Sequence, residues 1–349
     1  MTIKVGIIGA GSIVRYRHLP ETHDNQLAEV EAVCDIVKER AVEIATKYNC
    51  KAYTDYKELI ADQDLDAVIV AATNTTHAEM TIAALQAGKD VLCEKPMATN
   101  LIDAQNMINT AAKTGRKLMI AHNQRLEAAN QKAKEIIQSG KLGKVLTFRS
   151  IFGHPGCEYW AIDGENTWFF KKSITAMGCL GDLAIHKLDL LHWILEDDFV
   201  KVSAFADTLN KTYPDGEPID VEDNATCILR TKKGATGSVI VSWTYQKEDN
   251  SSAFYCEKGI LNLYAHPEYS IIIDYDHEKA EYHKTGKKST NVDQVKSGII
   301  DAFIDCIIND TEPEISGIEG YKALETVLAC LESSKTGHVV DITSTKEKK

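Results

Sequence analysis

The sequence predicts two domains of different class: a parallel α/β unit, then an α+β unit built on a mostly antiparallel sheet. Three observations carry this. The length of 349 residues exceeds what one hydrophobic core usually supports. Residues 3–121 alternate short β-branched runs with amphipathic helical stretches, the rhythm of βαβ crossovers. Beyond them the texture changes to strand-length runs separated by turn signals, with helices only at the opening and the close.

In the first unit, strands are expected at KVGIIG, VEAVCD, DAVIVAA, DVLCEK and KLMIA, and helices at 38–48, 77–87 and 101–114. Gly88 and Gly115 fall just past two of those helices, where a left-handed C-terminal cap suits glycine. The domains are thus expected at 1–121 and 122–349. A helix at about 125–139 opens the second. Strand runs follow at KVLTFRSIFG, FVKVSAFAD, NATCILRT, GATGSVIVSW, GILNLYA and YSIIIDY, with closing helices near 295–309 and 318–334. Lys232, Lys233 and Gly234 read as a hairpin turn.

Composition narrows the function classes. A formal net charge of −12 repels polyanions, and the basic residues are dispersed apart from a lysine-bearing stretch at 279–288 and the tail KEKK, so nucleic acid is not an expected partner. Nine cysteines without any C-x-x-C pair suit a reducing, cytoplasmic setting. No run reaches the ~20 apolar residues of a membrane span, and Met1 leads almost directly into IKVGIIGAG without a signal-peptide core, so no membrane association is expected.

The candidate chemistry begins at VGIIGAGSIV. Gly9 and Gly11 follow the first strand, where a tight turn lets backbone N–H groups at a helix start approach a pyrophosphate, the fingerprint of a Rossmann dinucleotide site. Val14 stands at the third glycine position. Asp35 ends the second strand, placed to accept hydrogen bonds from the adenosine ribose and to repel a 2′-phosphate, so NAD is expected over NADP. Arg40 lies nearby, in an amphipathic helix where a solvated side chain is expected.

At the carboxyl end of the fifth strand run, Glu94, Lys95 and Pro96 sit on the edge where doubly wound sheets bind ligands. Lys95 there either meets a substrate or pairs with Glu94. In GCLGDLAIHKLDLLHW, Asp182 and His186 are i and i+4 on one helix face, whereas His192 points elsewhere and reads as a hydrogen-bonded structural histidine. The spacing matches no metal motif, so no metal is expected. The Asp182/His186 pair is either a structural polar pair or an imidazole base held by a carboxylate.

Seven motifs occur in order: Gly9-x-Gly11 with Asp35, ATNTTHAEM running to Gly88, CEKP, NQR at 123–125, SGKLGKV at 139–145, CLGDLAIHKLDLLHW and SGIEGYKALETVLACLESSKTG. Across nearly the whole chain this resembles the glucose-fructose oxidoreductase/inositol dehydrogenase (Gfo/Idh/MocA) family. Where that family usually carries a glycine-rich run, this chain has Met177, Gly178, Cys179, Leu180 and Gly181.

The resemblance implies catalytic roles for Lys95, Asp182 and His186, with His186 as base, Asp182 as its orienting or substrate-binding partner and Lys95 stabilising the reacting oxygen. It implies that Ser12 and Ile13 line the pyrophosphate, that Thr73, Asn74 and His77 flank the cofactor together with Glu94, and that Asn123 lies near the nicotinamide. It further implies an open-faced sheet in the second domain and a homodimer or homotetramer formed through it. The expected activity is NAD-dependent hydride transfer to or from a secondary hydroxyl of a sugar, sugar derivative or cyclitol. An NAD-dependent glycoside hydrolase acting through transient ring oxidation, or a non-catalytic dinucleotide-binding regulator, stays open.

The stretch FGHPGCEYWAIDGENTWFF at 152–170 concentrates aromatics between a strand and the Asp182 helix. Trp160 and Trp168 are candidate walls for a sugar ring, with His154 or Asn123 reaching its hydroxyls, while Phe169 and Phe170 are expected in the core. Lys171 and Lys172 are adjacent lysines expected in solvent.

Overall fold

The computed structural model describes residues 2–275, 279–286 and 296–343. The tail KEKK and residues 287–288 of the lysine-bearing stretch lie outside the described residues.

The first unit runs β1 (Ile3–Ile8), α1 (Leu19–Asp24), β2 (Ala28–Cys34), α2 (Lys38–Tyr48), β3 (Lys51–Tyr53), α3 (Tyr56–Ile60), β4 (Ala67–Val70), α4 (His77–Gln86), β5 (Asp90–Cys93), α5 (Leu101–Thr114) and β6 (Leu118–Ile120). All six strands pair in parallel in the order β3-β2-β1-β4-β5-β6. The order reverses between β1 and β4, and ligands of such sheets bind beyond the carboxyl ends of the strands at that point. β4 and β5 are buried throughout, as a sheet covered on both faces requires. Gly115 caps α5 at φ +67°, and Gly88 follows α4 at φ +79°. The sequence reading missed β3 and α3, where three and five residues are too few for a periodicity to declare itself.

The second unit continues with α6 (Ala128–Gln138), β7 (Val145–Gly153), α7 (Lys172–Thr175), α8 (Ile185–Leu195), β8 (Phe199–Asp207), β9 (Asn224–Thr231), β10 (Thr236–Ser242), β11 (Ser252–Cys256), β12 (Gly259–Leu263), β13 (Ile271–Asp274), β14 (Ala280–His283), α9 (Ile299–Ile308), α10 (Gly317–Thr336) and β15 (Val340–Asp341). Among the described residues its strands form one sheet, β14-β13-β12-β11-β7-β10-β9-β8-β15, antiparallel except where β10 lies parallel to β7. Gly234, at φ +99°, sits in the expected β9–β10 turn. β9 shows the expected alternation, with Ala225, Cys227 and Leu229 buried and Thr226, Ile228 and Arg230 exposed. α8 and α10 cover the buried face.

The two sheets are joined by specific contacts. Ile120 N–H donates to Ile315 O at 2.8 Å, so the chain before α10 extends the β6 edge. Arg125 donates from Nε and Nη2 to Asp189 of α8, at 2.8 and 2.6 Å, and from Nη2 to Glu319 of α10 at 2.9 Å. Arg125 and Asp189 are almost wholly buried, so each needs the other.

Glu222, just before β9, fixes the chain leading into α8. Its backbone oxygen accepts Cys179 N–H at 2.9 Å, and its Oε1 accepts Gly178 N–H at 2.8 Å and Leu180 N–H at 3.2 Å. A Cβ on Gly178 would lie 2.0 Å from the Glu222 oxygen, so the approach requires glycine. Burial pushes the Glu222 carboxyl up to about 7, against the N–H donors that favour its ionised form. The folded-state value therefore lies above the unfolded one near 4.5. Stability from this group is present at low pH and is lost as pH rises from about 4.5 through about 7. Glu222→Gln removes that dependence, so the melting temperature of the wild type minus that of the variant should fall across this interval. A difference that stays constant from pH 4.5 to 7.5 contradicts the assignment.

Candidate active site

The glycine loop follows β1. Gly9 has φ +107°, and a Cβ there would lie 2.3 Å from Ala71 O, so the turn excludes any side chain. A Cβ on Gly11 would meet no atom of the chain within 4 Å, which leaves its backbone open to a phosphate. Val14 is fully buried at the third glycine position, and the chain winds there as a π turn, Val14–His18, before α1. Ile13 packs part-buried on the core.

Asp35 braces this loop: Oδ2 accepts Ala10 N–H and Oδ1 accepts Val37 N–H, each at 2.8 Å. Its carboxylate keeps lone pairs for ribose hydroxyls. Two neighbours depart from expectation. Arg40 is not simply solvated but pairs with Asp163 at 2.6 Å. Ser12 gives its hydroxyl to the same excursion, donating to Trp160 O at 3.0 Å and accepting Ile162 N–H at 3.1 Å, so only its backbone is left for a pyrophosphate. Residues 160–163 thus cross from the second unit onto the glycine loop.

Beyond β4, Thr73 is part-buried. Asn74 donates to Thr175 O and Oγ1, both at 3.0 Å, tying this loop to the end of α7. His77 is buried with Nδ1 2.8 Å from Pro96 O and Nε2 3.2 Å from Ala72 O. Burial lowers its pKa, and the ring braces the segment carrying Lys95 rather than offering a nitrogen to a ligand.

At the end of β5, Glu94 and Lys95 take different partners. Glu94 Oε1 meets His18 Nε2 at 2.9 Å, and Oε2 accepts Lys95 N–H at 3.1 Å. Burial opposes ionisation of Glu94, but His18, with Lys95 and Arg17, outweighs it and holds the carboxyl at about 2. The Lys95 ammonium turns away from Glu94 to the second unit, donating to Asp182 Oδ1 at 2.8 Å and Asp182 O at 3.0 Å. Trp243 Nε1–H donates to Asp182 Oδ2 at 3.1 Å. Burial pushes the Asp182 carboxyl up, and Lys95, together with His154 and Trp243, more than reverses it and holds the carboxyl below its usual value.

Asp182 thus bonds to Lys95 and Trp243 and makes no hydrogen bond to His186. Residues Leu180–Ala184 form a second π turn, and both carboxylate oxygens are already engaged. His186, the second residue of α8, has Nδ1 buried without a partner, and its ring lies edge-to-face with His122 at 6.4 Å between centroids. Burial holds its pKa well below the usual histidine value, with Lys95 adding to the effect, so the imidazole is neutral near pH 7. His154, at the end of β7, accepts Gly156 N–H on Nδ1 at 3.0 Å. Its neutral ring accordingly carries the proton on Nε2, a buried donor without a partner.

Trp160 Nε1 is likewise buried and unpartnered, and its ring packs edge-to-face on Phe169 at 5.1 Å. Trp168 stacks on Phe169 at 4.0 Å and is part-buried, whereas Phe170 is in the core against Trp243. Lys171 and Lys172 are exposed. Asn123 is buried in a single helical turn after β6. His192 is satisfied by Asp197 O at 3.0 Å and Thr326 Oγ1 at 3.2 Å. Among the described residues no cluster of three or more His, Cys, Asp or Glu has metal-ligand geometry.

The structure thus gathers a lysine–aspartate ion pair, a neutral buried imidazole and unpartnered donors on His154 and Trp160. His18, Trp243 and His122 were not anticipated. Each sits inside an apolar or motif-flanking run whose polar atom finds its role only through long-range packing.

Comparison with known proteins agrees with this arrangement. Residues 3–122 match the family model of the Gfo/Idh/MocA oxidoreductases with an NAD-binding Rossmann fold, and residues 130–262 match the C-terminal domain of the same group. The chain is 36% identical over 210 residues to an inositol 2-dehydrogenase of Salmonella typhimurium, a match covering 59% of this chain and 58% of that one. It is 31% identical over 265 residues to a levoglucosan dehydrogenase of Pseudarthrobacter phenanthrenivorans, covering 68% and 66%. A solved levoglucosan dehydrogenase in complex with NADH and levoglucosan superposes with a TM-score of 0.83 at 25% identity, over 99% of this chain and all of that one. With residues 3–122 and 130–262 matched in order by its two domain models, the chain belongs to the Gfo/Idh/MocA oxidoreductase family.

Proposed function

We propose that this chain is an NAD-dependent oxidoreductase acting on a secondary hydroxyl, or the corresponding ketone, of a sugar, sugar derivative or cyclitol. The observation that carries this is the Lys95–Asp182 ion pair, set with the neutral His186 at the edge where the glycine loop opens. In this reading residues 1–121 bind the dinucleotide, and 122–349 bind the substrate and a second subunit. Gly9, Gly11, Asp35, Thr73, Glu94 and Asn123 would hold the dinucleotide, whose nicotinamide supplies the hydride acceptor or donor.

The remaining chemistry belongs to this chain. In oxidation, His186 takes the hydroxyl proton on Nε2, for which a neutral ring is required. Lys95 donates toward the same oxygen as negative charge develops, and Asp182 holds the ammonium in place. The unpartnered donors His154 Nε2 and Trp160 Nε1 support a polyhydroxylated substrate, since a buried donor needs an acceptor. The nine unpaired cysteines support a cytoplasmic setting, and no helix among the described residues is long and apolar enough to cross a membrane.

His186→Asn should lower turnover on the true substrate by about 10²-fold or more, leaving NAD affinity and melting temperature nearly unchanged. Lys95→Met should lower turnover likewise and also reduce the melting temperature, because it strands the buried Asp182. Screening hexoses, cyclitols, sugar phosphates, glycosides and linear hydroxy acids identifies that substrate, and a response confined to linear acids would refute the class. The acid limb of kcat/KM should fall below pH 6.5, since protonation of His186 is displaced downward.

For the cofactor, NAD should bind at least about tenfold more tightly than NADP. Asp35→Ser should narrow the gap. Asp163→Asn should narrow it further by releasing Arg40 for a 2′-phosphate. Equal calorimetric affinities in the wild type would contradict this reading.

The outer face of the second sheet supports a homo-oligomer: Phe205 is 75% exposed and Ile228 60%, on strands whose other face is core. Sedimentation should show a dimer or tetramer, with Ile228→Asp shifted toward monomer. A monomeric wild type at micromolar concentration excludes it.

A further inference from the structure

Behind His186 three buried imidazole nitrogens lack partners: Nδ1 of His186 itself and both Nδ1 and Nε2 of His122. Buried polar atoms in native proteins are nearly always satisfied, so three within one ring-to-ring contact mark a feature with a purpose. His122 is 1% exposed and stands in the turn after β6, two residues past that strand. Its Nε2 lies 3.9 Å from Asp189 Oδ1. His186 and Asp189 are i and i+3 on α8, so one helix face presents both to His122. Asp189 cannot swing toward His186, because Arg125 holds both of its oxygens.

Resting on the reading of His186 as base, we infer that His122 is a positioning residue: with Asp189 Oδ1 near its Nε2, it accepts the Nδ1–H of His186 through one bridging water and so keeps Nε2 of His186 free for the substrate's proton. An imidazole used as a base must carry its own proton on the other nitrogen, and the partner of that nitrogen selects the tautomer. Asp182 makes its side-chain hydrogen bonds to Lys95 and Trp243 and none to His186. Asp189 next to Nε2 of His122 favours the Nε2–H form of that ring, which leaves its Nδ1 as the acceptor. Burial keeps both imidazoles uncharged in the resting state. During oxidation the substrate O–H bond breaks and an N–H bond forms at His186 Nε2, while the hydride leaves the same carbon for the oxidised dinucleotide. The Nδ1–H bond persists, and the new positive charge is shared toward His122 and Asp189. His122 itself gains and loses no proton.

The test uses the full-length protein labelled with ¹⁵N-histidine, the His186 resonances being assigned by their loss in His186→Asn. Long-range ¹H–¹⁵N spectra near pH 7.5 should show His186 as the Nδ1–H tautomer in the wild type and as the Nε2–H tautomer, or a mixture, in His122→Phe. His122→Phe should lower kcat about 10- to 100-fold, in the range seen when the partner orienting an imidazole is removed, with KM within about twofold. His122→Gln, whose amide oxygen can accept the same hydrogen bond, should recover most of kcat and the Nδ1–H form. A wild-type His186 in the Nε2–H form, or unchanged kcat in His122→Phe, overturns the inference. If His122→Phe does not fold, the wild-type tautomer and His122→Gln decide it. Full turnover by His186→Asn would instead overturn the assignment of the base, so the two failures are distinguishable.

Discussion

The candidate centre depends on one ion pair between the two sheets. Lys95 is delivered by the carboxyl end of β5 and Asp182 by the turn leading into α8, and neither unit alone supplies both charges. Two opposite charges this far out of solvent persist only when their remaining hydrogen-bond capacity is met. Trp243 meets that of Asp182 from the end of β10, and the Asp182 carbonyl gives Lys95 a second acceptor. The supports radiate outward from there. His77 grips the Pro96 carbonyl beside Lys95, His18 draws Glu94 away from the ammonium, and Glu222 ties down the backbone before Asp182. Each unit thus devotes polar groups of its own to keeping one lysine and one carboxylate in register.

How much of this was legible in the sequence follows from how local each signal is. The glycine loop, Asp35 and the long helices could be read because a turn needing positive φ, or an apolar stripe, is written in neighbouring residues. The ordered motifs extended that to Lys95, Asp182 and His186. Partnerships are another matter. Asp182 and His186 sit at the spacing of a helical pair, but a π turn intervenes and the carboxylate is claimed by residues 87 positions earlier and 61 later. Arg40 likewise looks solvated from its own helix and is paired by Asp163 from an excursion of the other unit. β11 and β14 eluded the sequence reading because short mixed-polarity strands take their identity from the neighbours they join.

Side-chain carboxylates near the site do different work according to their surroundings, although their intrinsic chemistry is alike. Glu94 is driven to ionise by His18, and Asp182 by Lys95. Glu222, held by backbone N–H groups and helped only slightly by Lys172, is left nearly balanced between its two forms at neutral pH. Asp223 beside it accepts the backbone N–H groups of Leu209, Asn210 and Lys211. Lys211 then reaches the Pro155 carbonyl and Glu158, so the tether from β9 extends to the aromatic excursion.

The parallel pairing of β7 with β10 bears on how the chain reaches this state. Thr147 and Thr236 are neighbours across the middle of the second sheet although about 90 residues separate them, and the intervening chain carries the aromatic excursion, Asp182, α8 and two further strands. Such a contact recovers its loop-closure entropy only after the whole span has been synthesised and brought together. The antiparallel hairpin of β9 and β10 needs no such wait. Assembly of this sheet is therefore expected to grow from local hairpins toward a late central closure, and the stretch carrying the aromatic excursion and Asp182 is enclosed by that last seam.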